Sequence, residues 1–259
     1  MRSIAVMNAK GGVGKTTTAV NLSAALADSG ATVCLIDLDP QAHATLHFGI
    51  KPQIEFASVY DVLVEEKSLA DVRKQVAENL WLIPSHLDLA SAEMELAGVV
   101  GREMILRDKL AADDRKFDYV FMDCPPSLGV LTINALTAID EVFIPLQPHF
   151  FALHGLIKQS QTIELVAKRL NNRLQLSGVV LCLYEQTRLA SEVTQEVEAF
   201  FQQYWPDARI FQTKIRKNIR LAEAPSHGQT IFQYDPSSNG ADDYRSLAGE
   251  IQKMTDGSL

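Results

Sequence analysis

The sequence predicts an α/β fold, a mostly parallel central sheet with helices on both faces. Three observations carry that prediction. Short β-rich apolar runs alternate with longer helix-periodic stretches. The runs are almost uninterrupted in apolar character, as strands buried on both faces must be. A glycine-rich turn follows the first run and opens into a helix. In chain order the strand runs are SIAVMN, ATVCLIDL, NLWLIPS, DYVFMDC, DEVFIPLQ and SGVVLCLY. Helices are expected from Thr16 to Ser29, with Gly30 as the stop, and over about 86–98, 101–112, 152–171, 189–203 and 240–254. Parallel strands need such crossovers, and open sheets of this kind bind ligands outside the carboxyl ends of their strands.

Neither a Pro/Ser-rich linker nor a composition break divides the 259 residues, so 1–259 is read as one domain. Hydrophobic residues at 47% and charged residues at 22% exclude a disordered chain. The apolar start is too short for a signal sequence, and no run reaches the ~18 apolar residues of a membrane span. A cytoplasmic protein without membrane attachment is expected. A net charge of −8 argues against a generally basic nucleic-acid binder but leaves room for a local patch. Cys34, Cys124 and Cys182 each lie inside an apolar run without metal-ligand spacing, and are expected to be buried, reduced and structural.

The stretch NAKGGVGKTT, residues 8–17, is the strongest motif. Glycine lets backbone N–H groups turn onto phosphates, a helix N-terminus adds about half a positive charge, and Lys15 reaches the β/γ oxygens. Gly11, Gly12, Val13, Gly14, Lys15, Thr16 and Thr17 are the expected nucleotide contacts, with Thr16 placed to ligate Mg²⁺. The ordinary pattern G-x-x-x-x-G-K-[ST] would put glycine where this chain has Ala9, and a second lysine, Lys10, precedes the glycines. Taken alone, Lys10 is also what a solvated loop cation looks like.

Two strand runs end in carboxylates. ATVCLIDL leads into Asp37-Leu38-Asp39-Pro40-Gln41, and DYVFMDC carries Asp123, the expected ligand of a Mg²⁺-bound water, ahead of Pro125-Pro126. Asp37 or Asp39 could instead cap the strand end or form a turn. With Lys15 and Thr16, these groups suffice for phosphoryl transfer to water by positioning and electrostatics. His43, His47, His86, His149, His154 and His227 lack metal-site spacing and are read as surface or packing residues. Between Arg209 and Arg220 lie Lys214, Arg216 and Lys217 with no acidic residue among them. Such a run is a candidate phosphate-facing patch, and is equally the composition of a solvated loop.

KGGVGKTT, the DxDPQ segment, PLQPHFFALHGLIKQSQTIELV and the C-terminal pattern I-x-x-N-x-R-L-x-E-A-P-S-x-G followed by Y-D-P-x-S-x-G-A-x-x-Y together resemble the ParA/MinD/Soj family of deviant P-loop ATPases, its ParA (Soj) partition branch most closely. The resemblance covers essentially the whole chain. It implies ATP and Mg²⁺ as cofactors, Lys10 reaching phosphates bound in a partner copy, Asp39 orienting or deprotonating the attacking water, and Asp37 supporting the Mg²⁺ shell. It implies a homodimer formed on ATP binding and nonspecific binding of double-stranded DNA through Arg188, Lys214, Arg216, Lys217 and Arg220. The implied function is to position chromosome or plasmid DNA as a nucleoid-associated protein, with release by a ParB-like centromere-binding protein or cargo adaptor. Arg216 departs from the family, which commonly has proline there, and Gln186-Thr187-Arg188 permutes the usual arginine-threonine order. The related alternatives are an ATPase positioning another cargo and a MinD-type division ATPase. The latter should end in a basic amphipathic helix, and DDYRSLAGEIQKMTDGSL carries acids throughout.

Overall fold

The computed structural model describes residues 1–52 and 56–255; the last four residues of the acidic C-terminal stretch lie outside them. Eight strands form one sheet: β1 (Arg2–Val6), β2 (Val33–Asp37), β3 (Lys74–Ala77), β4 (Leu80–Ile83), β5 (Tyr119–Asp123), β6 (Glu141–Leu146), β7 (Gln175–Leu181) and β8 (Arg209–Ile210). Their order is β3-β4-β2-β5-β1-β6-β7-β8. Every pairing is parallel except β3 with β4. All six expected strands are present. The two unforeseen ones are edges: β3 is short and only half buried, and β8 has two residues, too few for any alternation to show.

The helices are α1 (Lys15–Asp28), α2 (His43–His47), α3 (Val59–Leu63), α4 (Leu69–Val72), α5 (Ala92–Glu95), α6 (Ile105–Ala111), α7 (Val130–Ala138), α8 (Ala152–Arg169), α9 (Arg188–Tyr204), α10 (Ile219–Glu223), α11 (Ile231–Tyr234) and α12 (Asn239–Thr255). The helix expected over 86–98 is instead three pieces, with 3₁₀ turns at Leu87–Ala90 and Leu96–Gly98 around α5. Local bonds compete with a continuous helix there: the His86 ring accepts from Asp88 N at 3.1 Å and Ser91 Oγ donates to Asp88 O at 2.8 Å. The helix expected over 101–112 begins with Gly101 at φ 77 and a 3₁₀ turn, and is α-helical only as α6.

Alternate strand residues feed two cores, one on each face of the sheet. Ala5, Met7, Cys34, Ile36, Val120 and Met122 join the first, beneath α7, α8 and α9; Ile4, Val6, Val33, Leu35 and Phe121 join the second, beneath α1 and α12. α1 is buried on nearly every side, so its polar residues are engaged internally. Thr18 Oγ1 meets Tyr244 OH of α12 at 3.1 Å, and Asn21 Oδ1 accepts from Ile231 N at 2.8 Å. Fully buried Leu22 and Leu26 each contribute about 1.5–3 kcal/mol to that packing. The consequence is a rigid seat for the loop that precedes α1. Register brings the chemistry level: Val6 and Asp37 both pair with Asp123, so three neighbouring strands end together.

Candidate functional site

The loop from β1 to α1 turns with Gly12 at φ 75 and Gly14 at φ 93, conformations that a side chain would strain. Gly14 occupies the N-cap position of α1 without a side-chain cap, so the first amides of a long helix remain open to an anion. The two lysines have opposite fates. Lys15 is 7% exposed, and its ammonium donates to Lys10 O at 3.1 Å, a carbonyl standing where a phosphate oxygen would serve. Burial lowers its pKa, against the opposing pull of Asp123 and Asp39. Lys10 is exposed, its amide held by Asn8 Oδ1 at 2.9 Å and its ammonium against His149 Nε2. Phe151 N–H donates to His149 Nδ1 at 3.1 Å, so in the neutral ring Nε2 carries the hydrogen and two donors face each other. Lys10 is therefore loosely held. His149's pKa is lowered, first by burial and then by that ammonium.

The three carboxylates divide in role. Asp37 is fully buried and uses its oxygens on the turn: Oδ2 accepts from Thr45 N at 2.8 Å and Thr45 Oγ1 at 2.7 Å, and Oδ1 from Asp39 N at 3.2 Å. These contacts anchor the start of α2, as a turn former does. Asp39 is 8% exposed; its Oδ1 accepts from Gln41 N at 2.9 Å and its carbonyl from Ser85 Oγ at 2.8 Å. Ala42, at φ 53, turns the chain sharply after it, a conformation costing about 1–2 kcal/mol in a residue with a side chain. Asp123 is fully buried, and neither oxygen has a hydrogen-bond partner among the described residues. Burial, and after it the charge of Asp37, raise its pKa, while nearby Thr16 and Lys15 oppose them. Asp37 is raised too, again mainly by burial. An orphaned buried carboxylate beside a threonine hydroxyl at an open helix N-terminus is a donor set that fits a hard divalent cation, and Asp123 and Thr16 are the residues that would hold it.

The basic segment is organised differently. Arg216 pairs with Asp243, Nη2 to Oδ1 at 2.7 Å, and its backbone N donates to Asp243 Oδ2 at 2.9 Å, a bond that proline could not make. Lys217 pairs with Glu185 at 3.3 Å, Arg188 with Glu192 at 2.8 Å, and Arg220 with Glu223 at 2.9 Å and Asp235 at 3.4 Å. Lys214 lies 4.4 Å from the Tyr184 ring centre. Four of the five expected DNA-facing residues, Arg188, Arg216, Lys217 and Arg220, are thus paired with acids of the chain itself. All three cysteines are free and buried, with thiol pKa values pushed up by burial, to about 12 for Cys34 and Cys182. No helix among the described residues is long and apolar enough to cross a membrane.

A glycine loop between a central parallel strand and a buried helix, flanked by strand-end carboxylates, defines a P-loop nucleoside triphosphatase. A family model described as an AAA domain matches residues 1–176. The sporulation initiation inhibitor protein Soj of Bacillus subtilis is 46% identical over 250 residues, 96% of this chain and 97% of Soj; the chromosome partitioning protein ParA of Caulobacter vibrioides is 43% identical over 255 residues, 97% and 94%. The chain belongs to the ParA/Soj family of the ParA/MinD superfamily of ATPases. Among solved structures, one described as cobyrinic acid a,c-diamide synthase of Mycobacterium smegmatis, with bound ATP analogue and magnesium, superposes with a TM-score of 0.85 at 34% identity, covering 100% of this chain and 97% of that one.

Proposed function

We propose that the protein is an ATP-driven positioning switch for chromosome or plasmid DNA. ATP binds at residues 11–17, two copies dimerise around it, and the dimer binds double-stranded DNA without sequence preference. A ParB-like partner then stimulates hydrolysis to ADP and phosphate, and the dimer parts. Bound Mg²⁺ at Thr16 and Asp123 would neutralise developing charge on the phosphates. Lys15 holds the phosphate chain from within the chain, and Asp39, beside Lys15 at the mouth of the site, orients the attacking water. Lys10 supplies the second cation, from the opposite copy.

The observation that supports this reading is the opposed exposure of two lysines in one loop: one buried under its own phosphate site, the other outside and weakly held. A cation is worth most against phosphates where water is excluded, and for Lys10 that place is an interface. Helix α12 does not present an apolar face outward, since its Tyr244, Leu247 and Ile251 are buried in the core beside α1. The experiment is a pair of measurements on the intact chain and on Lys10→Ala: oligomeric state with and without a nonhydrolysable ATP analogue, and binding to arbitrary duplex DNA across a salt series. Lys10→Ala should bind nucleotide normally and weaken the ATP dimer about tenfold or more. A dimer constant unchanged by the substitution, or intact chain whose DNA binding ignores ATP, would overturn the reading.

A further inference from the structure

Lys10 is held at its backbone by two buried amides, both outside the expected nucleotide contacts at 11–17. Asn8 follows β1 and is 6% exposed; its Nδ2 donates to Pro145 O of β6 at 2.7 Å, and its Oδ1 accepts from Lys10 N at 2.9 Å. Gln159, 1% exposed in the middle of α8, donates from Nε2 to the same Asn8 Oδ1 at 3.1 Å, and to Gly155 O of its own helix at 3.1 Å. Both orientations are forced. The Lys10 N–H needs an acceptor and the Pro145 carbonyl a donor, so Asn8 must turn its oxygen to the first and its NH₂ to the second. That oxygen accepts only, so Gln159 must present its NH₂, which leaves Gln159 Oε1 buried without a hydrogen-bond partner among the described residues.

A glutamine is a costly residue for that position. Its neighbours on the buried side of α8, Leu156 and Ile163, pack into the core as apolar side chains, whereas an amide with an unmet acceptor loses stability that a leucine or methionine would keep. What the amide gains is one contact across the fold, with Asn8. The Lys10 peptide is thereby tied at both ends, its N–H by Asn8 and its carbonyl by the Lys15 ammonium at 3.1 Å. The two ties differ in kind. A phosphate held by the loop competes for the Lys15 ammonium as the stronger acceptor, while the Asn8 tie spends no group that binds nucleotide.

We propose that Asn8 and Gln159 are positioning residues: they clamp the Lys10 backbone when nucleotide engages Lys15, so that the exposed ammonium is presented to a second copy from a fixed base. A side chain that springs from a fixed peptide has less freedom to lose when it is captured, and the capture is tighter for it. Helix α8 thus steadies Lys10 through Gln159, well down its length, while His149, just before the helix begins, meets the ammonium itself. Presentation to a second copy rests on the proposed function; the clamp on the Lys10 peptide does not.

The test compares the intact chain with Asn8→Ala, Gln159→Met, Lys10→Ala and the Gln159→Met/Lys10→Ala double variant, each with a nonhydrolysable ATP analogue bound. Methionine is unbranched and as long as glutamine, so Gln159→Met keeps the packing of α8 and removes only the amide. Hydrogen exchange at the Lys10 amide reads the clamp directly: it should quicken about tenfold in Asn8→Ala and about threefold in Gln159→Met. The dimer constant reads its consequence. Gln159→Met should weaken the dimer about threefold, with affinity for the analogue within about twofold of the intact chain, and the double variant should be no weaker than Lys10→Ala alone. Exchange at Lys10 that neither substitution alters overturns the proposal, and so does a double variant weakened by the product of the two single losses. If exchange quickens as expected but neither Lys10→Ala nor Gln159→Met changes the dimer, the clamp is upheld and the cross-copy role of Lys10 fails.

Discussion

The nucleotide edge and the basic segment both concentrate charge, and the fold treats them in opposite ways. At the nucleotide edge charge is left incomplete, whether buried or exposed: neither oxygen of buried Asp123 has a hydrogen-bond partner among the described residues, buried Lys15 donates to a carbonyl in place of a phosphate, and exposed Lys10 touches a mismatched histidine. In the basic segment most charge is exposed and already matched, as in Arg216 with Asp243 and Arg220 with Glu223. An unfinished site has a partner built into its requirements, and a finished one gives a partner only what remains after internal pairs break. The contrast predicts that substitutions at the first region act strongly and by loss, while those at the second act weakly and can act by gain.

The largest effect is expected at Lys15. Lys15→Ala removes the buried ammonium beneath the loop and leaves Asp39 and Asp123 facing incoming phosphates without it. ATP affinity should fall by more than about 100-fold, or some 2.7 kcal/mol, measured by calorimetry or fluorescent-analogue titration. Near-normal affinity would mean that the helix N-terminus alone carries phosphate binding, and the asymmetry between the two lysines would lose its meaning.

Next comes Asp123. Its folded pKa is raised above the ordinary 3.8, first by burial and then by Asp37. A group raised in this direction gives stability that is complete below the unfolded value and is lost as pH rises through the folded one. At neutral pH the nucleotide-free chain therefore carries the cost of an ionised or proton-hungry buried carboxyl. Asp123→Asn should stabilise it by about 1–2 kcal/mol, roughly 2–6 °C in melting temperature, and flatten the decline of stability above the carboxylate range. The same variant should lose the extra stabilisation that Mg²⁺ with ATP gives the unaltered chain. A melting temperature that drops in Asp123→Asn, with the Mg²⁺ effect intact, would place Asp123 among structural residues and erase the contrast.

What could be read from residues alone follows the same division. KGGVGKTT was legible because its chemistry is local: turn, helix start and lysine lie within ten residues, and the strands around it announced themselves by unbroken apolar runs. Asp37 and Asp123 looked alike as strand-end acids, and only tertiary contacts separate them, since Thr45 bonds to the first while neither oxygen of the second has a hydrogen-bond partner among the described residues. The run from Arg209 to Arg220 looked unopposed because its acids lie outside it; Asp243 is 27 residues from Arg216. Helix α7 escaped notice because it is buried on nearly all sides and has no polar face to mark a period. A cavity lined by Thr16, His43, Lys51 and His227 was invisible for a related reason, since only tertiary packing brings these positions together.

The smallest expected effect discriminates most sharply between the two regions. Arg220 is half exposed, and Glu223, three residues on in the same helix, takes its guanidinium at 2.9 Å while also accepting from Tyr234 OH at 3.0 Å. The charge of Glu223 is stabilised by these bonds, Arg220 first, so its pKa lies below the ordinary value and the pair stays ionised at neutral pH. Such an exposed pair contributes little to folding, and Glu223→Gln should leave stability nearly unchanged. It keeps a hydrogen-bond acceptor for the tyrosine and removes the competing charge, which leaves Asp235 at 3.4 Å as the remaining anion. If Arg220 meets a DNA phosphate in the ATP-bound dimer, freeing it should tighten duplex binding about threefold and steepen the salt slope by less than about 1. Unchanged affinity would assign the Arg220–Glu223 pair to holding α10 in place, and the whole of the DNA-facing charge would then have to come from groups that the fold leaves unpaired, as it does at the nucleotide edge.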